Sequence, residues 1–116
     1  MKIAIVGSRS IRITSEDIEK IISDGDEIVS GGAVGVDQCA CEYANNKGLK
    51  ITEFLPEYSR YRRAAPLVRN KRIVEYADKV VVFWNGSSKG TLSVINYAKE
   101  IKKPCDVIIL NDSHKT

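Results

Sequence analysis

The chain has 116 residues, of which 43% are hydrophobic and 28% charged, and its formal net charge is +3. Such values describe one globular domain, long enough for a core and too short for a separate substrate domain. No apolar run approaches the about 18 to 20 residues that span a bilayer, and the first residues enter a strand-like segment with no signal-peptide pattern, so a cytoplasmic protein is expected.

Lys2 to Val6 is an apolar run rich in β-branched residues, the pattern of a strand buried on both faces. Gly7-Ser8-Arg9-Ser10 breaks it. Thr14 or Ser15, followed by Glu16 and Asp17, opens a helix with Ile18, Ile21 and Ile22 on one face, and Asp24-Gly25-Asp26 closes it. A second strand over Glu27 to Val29 precedes the glycine-rich Ser30 to Asp37. The helix after that loop carries Val36, Cys39, Ala40, Tyr43 and Ala44 at core-facing spacing and stops at Asn45 to Gly48.

Lys50 to Leu55 reads as a third strand ended by Pro56, whereas Arg60 to Ala65 has no clear pattern. Pro66 suits a first helical turn, and Val68, Ile73, Val74 and Ala77 support a helix to about Tyr76. Lys79 to Trp84 is a fourth strand, Asn85 to Gly90 a second glycine and serine loop, Thr91 to Ile101 a helix, and Asp106 to Leu110 a fifth strand. Residues 1–110 thus form the expected domain, with a polar tail over 111–116 that includes the single histidine, His114.

Strands alternating with helices imply an α/β, Rossmann-like three-layer sandwich: a five-stranded parallel sheet with about four helices. Right-handed crossovers favour the strand order 3-2-1-4-5, which sets strands one and four side by side at the switch point where such sheets bind ligands. The loops after strands one, two and four should therefore converge on one crevice. In the second of them, three glycines let backbone amides approach a bound group, and the following helix aims its free N–H groups at the same place. That chemistry suits a phosphate. The loop is neither a P-loop nor G-x-G-x-x-G.

Cys39, Cys41 and Cys105 are too few, and too far from another ligand, for structural zinc, so reduced thiols and no metal or other cofactor are expected. From Arg60 to Arg72 the chain carries Arg60, Arg62, Arg63, Arg69, Lys71 and Arg72 with no acidic residue, beside Tyr58 and Tyr61. Such a segment is either a solvated basic face or an anion-facing patch, with the tyrosines as candidate stacking platforms.

Four segments together resemble the SLOG superfamily, the Rossmann-like group that includes DNA processing protein A and the LOG phosphoribohydrolases. They are Gly7-Ser8-Arg9, Ser30-Gly31-Gly32-Ala33-Val34-Gly35-Val36-Asp37, the Arg69-Asn70 stretch within Ala65 to Ile73, and Gly86-Ser87-Ser88-Lys89-Gly90-Thr91. Their order and spacing are similar to those of the small YspA- and YpsA-related branch. The resemblance implies a nucleotide-related ligand at the strand ends and, often, a homodimer. In the hydrolase branch the last loop reads Gly-Gly-x-Gly-Thr-x-x-Glu; here Val94 stands in the glutamate's place, which argues against phosphoribohydrolase chemistry by that route.

The expected ligand or phosphate site is accordingly Gly7, Ser8 and Arg9; Ser30, Gly31, Gly32, Ala33 and Asp37; Arg69 and Asn70; and Asn85, Gly86, Ser88, Lys89, Gly90 and Thr91, with no catalytic residue assigned. Arg9 can form paired bonds to a phosphate. Asp37 either caps its own loop or meets a ribose hydroxyl or water, Asn70 makes a specific hydrogen bond to ligand or to a neighbouring loop, and Trp84 stacks on a base or closes the core. The leading expectation is a sensor or carrier of a nucleotide or nucleotide-derived small molecule. The alternatives are an N-glycosidase of the phosphoribohydrolase type and a single-stranded nucleic-acid binder.

Overall fold

The computed structural model describes residues 1–111; the remainder of the expected tail, with His114, lies outside the described residues. Five parallel strands form one sheet in the order β3-β2-β1-β4-β5, as expected. They are β1 (Lys2–Gly7), β2 (Glu27–Ser30), β3 (Ile51–Glu53), β4 (Lys79–Trp84) and β5 (Cys105–Ile109). The central pair keeps Ile5 beside Val81 and Ala4 beside Val80, and on its other side β1 sets Ala4 beside Val29.

Alternation along the strands divides the core in two. Ile3 and Ile5 of β1, with Val81 and Phe83 of β4, meet α1 (Ser15–Glu19) and α2 (Val36–Lys47) on one face. Ala4 and Val6, with Val80 and Val82, meet α4 (Ala65–Tyr76) and α5 (Lys89–Glu100) on the other. Both sets are buried, so β1 and β4 read as continuous apolar runs.

The four expected helices are present, with shifted ends. Thr14 is the N-cap of α1, its hydroxyl accepting from the N–H of Asp17 while the Asp17 carboxylate accepts from the N–H of Thr14. This helix stops at Glu19, and Ile21 and Ile22 reach the core from the turn beyond it. β3 ends at Glu53, before the expected Leu55, which is exposed. Residues 58–64, without a clear pattern in sequence, form the one-turn helix α3 (Tyr58–Tyr61) and a 3-10 turn over Arg62–Ala64. α5 begins at Lys89, two residues earlier than expected, because Ser88 caps it.

Candidate functional site

Parallel strands place all their carboxyl ends at one edge of the sheet, and a cavity of about 420 Å³ opens there. One end is built from the loops after β1 and β4. Asn85 folds its loop by accepting through Oδ1 from the N–H groups of Ser87 (3.0 Å) and Ser88 (2.9 Å). Its own N–H donates to Ser8 Oγ at 3.2 Å, its Nδ2 reaches Ser10 Oγ at 3.4 Å, and Ser8 Oγ lies 3.5 Å from Thr91 Oγ1. The two loops are thereby laced together around the start of α5.

At that start the Ser88 hydroxyl caps the N–H of Thr91, leaving the N–H groups of Lys89 and Gly90 without partners inside the helix. Gly90, Thr91 and Ser88 line the cavity, as do Gly7 and the exposed Arg9 of the loop after β1. Helix dipole, free amides and a hydroxyl meet here, the chemistry that holds an oxyanion.

The middle of the cavity belongs to the glycine loop after β2. Gly35 holds φ at +80°, and a Cβ there would lie 2.6 Å from the carbonyl oxygen of Arg9, so only glycine lets the β1 loop press against the start of α2. Gly31, Gly32 and Ala33 line the cavity wall. Asp37, in the first turn of α2, also lines the cavity; it is only 6% exposed, and its Oδ2 accepts from the N–H of Ala33 at 3.2 Å. Burial pushes its pKa up to about 6, opposed by the Ala33 N–H, the charge of Arg69 and the Gly31 N–H, and reinforced by the charge of Glu53.

Arg69 of α4 closes the opposite wall. Its Nη1 donates to the Gly31 carbonyl at 2.6 Å and its Nε to Asn70 Oδ1 at 2.8 Å. Burial lowers the guanidinium's pKa, and Asp37 works against that shift. Asn70 in turn donates through Nδ2 to Ser93 Oγ (3.2 Å) and the Gly90 carbonyl (3.4 Å). This adjacent pair thus ties the β2 loop to the first turn of α5 across α4, while both side chains also line the cavity.

Eleven of the residues expected from sequence line this cavity: Gly7, Arg9, Gly31, Gly32, Ala33 and Asp37, then Arg69, Asn70, Ser88, Gly90 and Thr91. Ser8, Ser30, Asn85, Gly86 and Lys89 stand behind or beside it. Ser30 is buried and receives the N–H of Gly32 on its hydroxyl at 3.3 Å, while Ser8 and Asn85 shape the loops as described. Trp84 is a core lid, half-buried against the α4 and α5 side, with Nε1 donating to the Ser88 carbonyl at 3.0 Å. Val94, in the position of the hydrolase glutamate, contributes an aliphatic patch to the cavity wall.

Sequence reasoning missed Pro56 and Pro66, which line the far end with Tyr58. A proline closing a strand and another opening a helix are the local signals that mark both positions. Beside this end, Tyr61 lies between the guanidiniums of Arg60 and Arg72, at 5.2 and 5.7 Å from its ring centre, and the Tyr61 hydroxyl accepts from Arg72 at 3.0 Å. Arg60, Arg62 and Arg63 are exposed on the segment that follows Tyr58, whereas Lys71, also exposed, sits over the Tyr97 ring of α5 at 5.4 Å.

Residues 1–50, which carry β1, α1, β2 and α2, match the family model of DNA recombination-mediator protein A. No curated protein sequence matches the chain. Among solved structures, DNA processing protein A from Helicobacter pylori, described for its single-stranded DNA binding mode, superposes with a TM-score of 0.73 at 24% identity, over 97% of this chain and 67% of that one. The family-model match runs through the glycine loop, and the solved structure shows the same fold over nearly the whole chain.

Proposed function

We propose that this protein binds a phosphate-bearing nucleotide or nucleotide-derived molecule in the crevice at the strand ends, as a sensor or carrier. The observation that carries this reading is the convergence of three loops on one cavity with two chemically distinct ends. The first turn of α5 and Arg9 offer amides and positive charge to a phosphate, and Tyr58, Pro56 and Pro66 offer an apolar wall to a base. Val94 supplies no proton-transferring group where the hydrolase branch carries glutamate, which favours holding the ligand over cleaving it. The same reading expects a cytoplasmic protein, and a homodimer as in many relatives of this superfamily. Calorimetric titration with nucleoside mono- and diphosphates, in buffer free of sulfate and phosphate, tests it. Saturable binding that inorganic phosphate competes away is expected; no binding by any of them to folded protein overturns the reading.

A second reading is favoured by one specific observation, the exposed Arg60, Arg62 and Arg63 in the same segment as Tyr61 and the cavity-lining Tyr58. Basic residues that track a backbone, interleaved with aromatic rings, suit single-stranded nucleic acid, the ligand described for the Helicobacter pylori structure. Under this reading one nucleotide of the strand enters the cavity and its neighbours cross these arginines. Oligonucleotide affinity that falls steeply from about 50 to 200 mM salt supports it, and affinity flat with salt excludes it.

A further inference from the structure

The elements that line the cavity follow the order of the strands. Along the carboxyl edge of the sheet come the start of α5 after β4, then Gly7 and Arg9 after β1, then Gly31 to Asp37 after β2, and last Pro56 and Tyr58 after β3. With neighbouring strands spaced by about 4.8 Å, the span from β4 to β3 is roughly 14 Å. The end at β4 is built for an oxyanion and the end at β3 for a flat apolar group. Between them lies Asp37, a carboxylate 6% exposed, one of whose oxygens accepts from Ala33 while, among the described residues, no donor reaches the other, Oδ1.

Nearly all buried polar atoms in folded proteins have partners, and an unmatched buried carboxylate oxygen on a residue that lines the cavity is a costly feature, which a donor reaching it from the cavity relieves. In a nucleotide the group between phosphate and base is the sugar, and its hydroxyls are donors. We infer that Asp37 is a sugar subsite, accepting a hydrogen bond from a ribose hydroxyl and so selecting ribonucleotides over their deoxy counterparts. The inference rests on the proposed nucleotide reading and adds the ligand's sugar class to it. Arg69 stands beside the subsite: a Cβ on Gly31 would lie 2.7 Å from Arg69 Nη1 and 2.9 Å from Asp37 Oδ2, so the absent side chain leaves room for both charged groups on the same side of the loop.

Titration of the full chain with a nucleoside 5′-monophosphate, its 2′,3′-dideoxy form and ribose 5-phosphate tests the inference. Wild-type protein is expected to bind the dideoxy form at least about tenfold more weakly, the loss that follows from one hydrogen bond to a charged acceptor. In Asp37→Ala the ribo and dideoxy forms should bind equally, whatever their absolute affinity, and ribose 5-phosphate should be weakened. Equal wild-type affinity for the ribo and dideoxy forms overturns the sugar subsite while leaving nucleotide binding intact, and this arm needs no variant to fold. Ribose 5-phosphate binding that ignores Asp37, while the nucleotide depends on it, also overturns the inference by moving the contact to the base. If neither nucleotide form binds folded wild-type protein, the nucleotide reading itself fails and the subsite with it.

Discussion

Arg69 on α4 donates to the carbonyl of Gly31 at 2.6 Å, so a helix from one face of the sheet clasps a loop 38 residues earlier in the chain. A methyl group at Gly31 would strike this guanidinium and the Asp37 carboxylate together. Gly31→Ala is expected to cost about 1–3 kcal/mol, the range for overpacking a tight site, and Arg69→Ala a similar amount through the lost charged hydrogen bond. The double variant should lose less than the sum, because the arginine is the methyl's nearest obstacle. Urea unfolding of all four proteins measures this, and strict additivity refutes the clasp.

Asp37 should make stability depend on pH in an identifiable window. Its folded-state pKa of about 6 lies above the ordinary 3.8, so between these values the folded state keeps a proton that the unfolded chain has released. The stability this contributes is full below about pH 3.8 and is lost as pH rises through 6. Asp26 and Glu27, whose values are lowered by the Ser23 N–H and the Tyr76 hydroxyl respectively, push the opposite way and are common to wild type and variant. Asp37→Asn, which cannot ionise, should therefore gain on wild type by about 2–3 kcal/mol between pH 4 and pH 7, at 1.36 kcal/mol per pKa unit. A difference constant across that range contradicts the burial of an ionisable carboxylate here.

Asn70 offers a separation of binding from folding. Asn70→Asp keeps an acceptor for Arg69 Nε but removes the donor to Gly90 and Ser93, and places a negative charge beside the phosphate end of the cavity. Phosphate and nucleotide affinity should fall by tenfold or more, whereas the melting temperature should move little, since a carboxylate near a helix N-terminus is itself favourable. A nucleotide affinity equal to wild type would show that no anion sits at the start of α5.

The exposed arginines can be isolated from the cavity. Replacing Arg60, Arg62 and Arg63 with glutamine removes three exposed charges. Mononucleotide affinity should be unchanged, and the salt slope of any oligonucleotide binding should flatten, by about 0.7 for each phosphate that they no longer neutralise. Fluorescence anisotropy at several salt concentrations reads both. An unchanged slope removes these arginines from nucleic-acid binding.

For the fold, Thr14→Ala removes one half of a reciprocal cap, since the threonine hydroxyl accepts from Asp17 N at 3.2 Å. About 1 kcal/mol of stability should be lost, with no effect on ligand binding. Serine at the same position should restore most of it.

The central strands were legible because burial on both faces demands an uninterrupted apolar run, and Ile3 to Val6 and Val80 to Val82, mostly β-branched, supply it. Crossover handedness then set the strand order. α3 was not legible: Tyr58 to Tyr61 is one turn with no buried residue, so no apolar period marks it. β3 was read as too long because Phe54 and Leu55 continue its apolar run. Phe54 packs edge-on against Tyr76, whereas Leu55 is left exposed at the mouth of the crevice. The loops of the site were visible as glycine and serine clusters on adjacent strands. The partnership of Asp37 with Arg69 was not, since it joins residues from opposite sides of the sheet that only the finished fold brings near each other.

The contact of Gly35 with the Arg9 carbonyl has a mechanical consequence. With no side chain between them, the loops after β1 and β2 rest backbone on backbone, and neither can swing outward without carrying the other. Their amides should therefore exchange with solvent as one cooperative unit, and a ligand that quiets either loop should slow exchange in both.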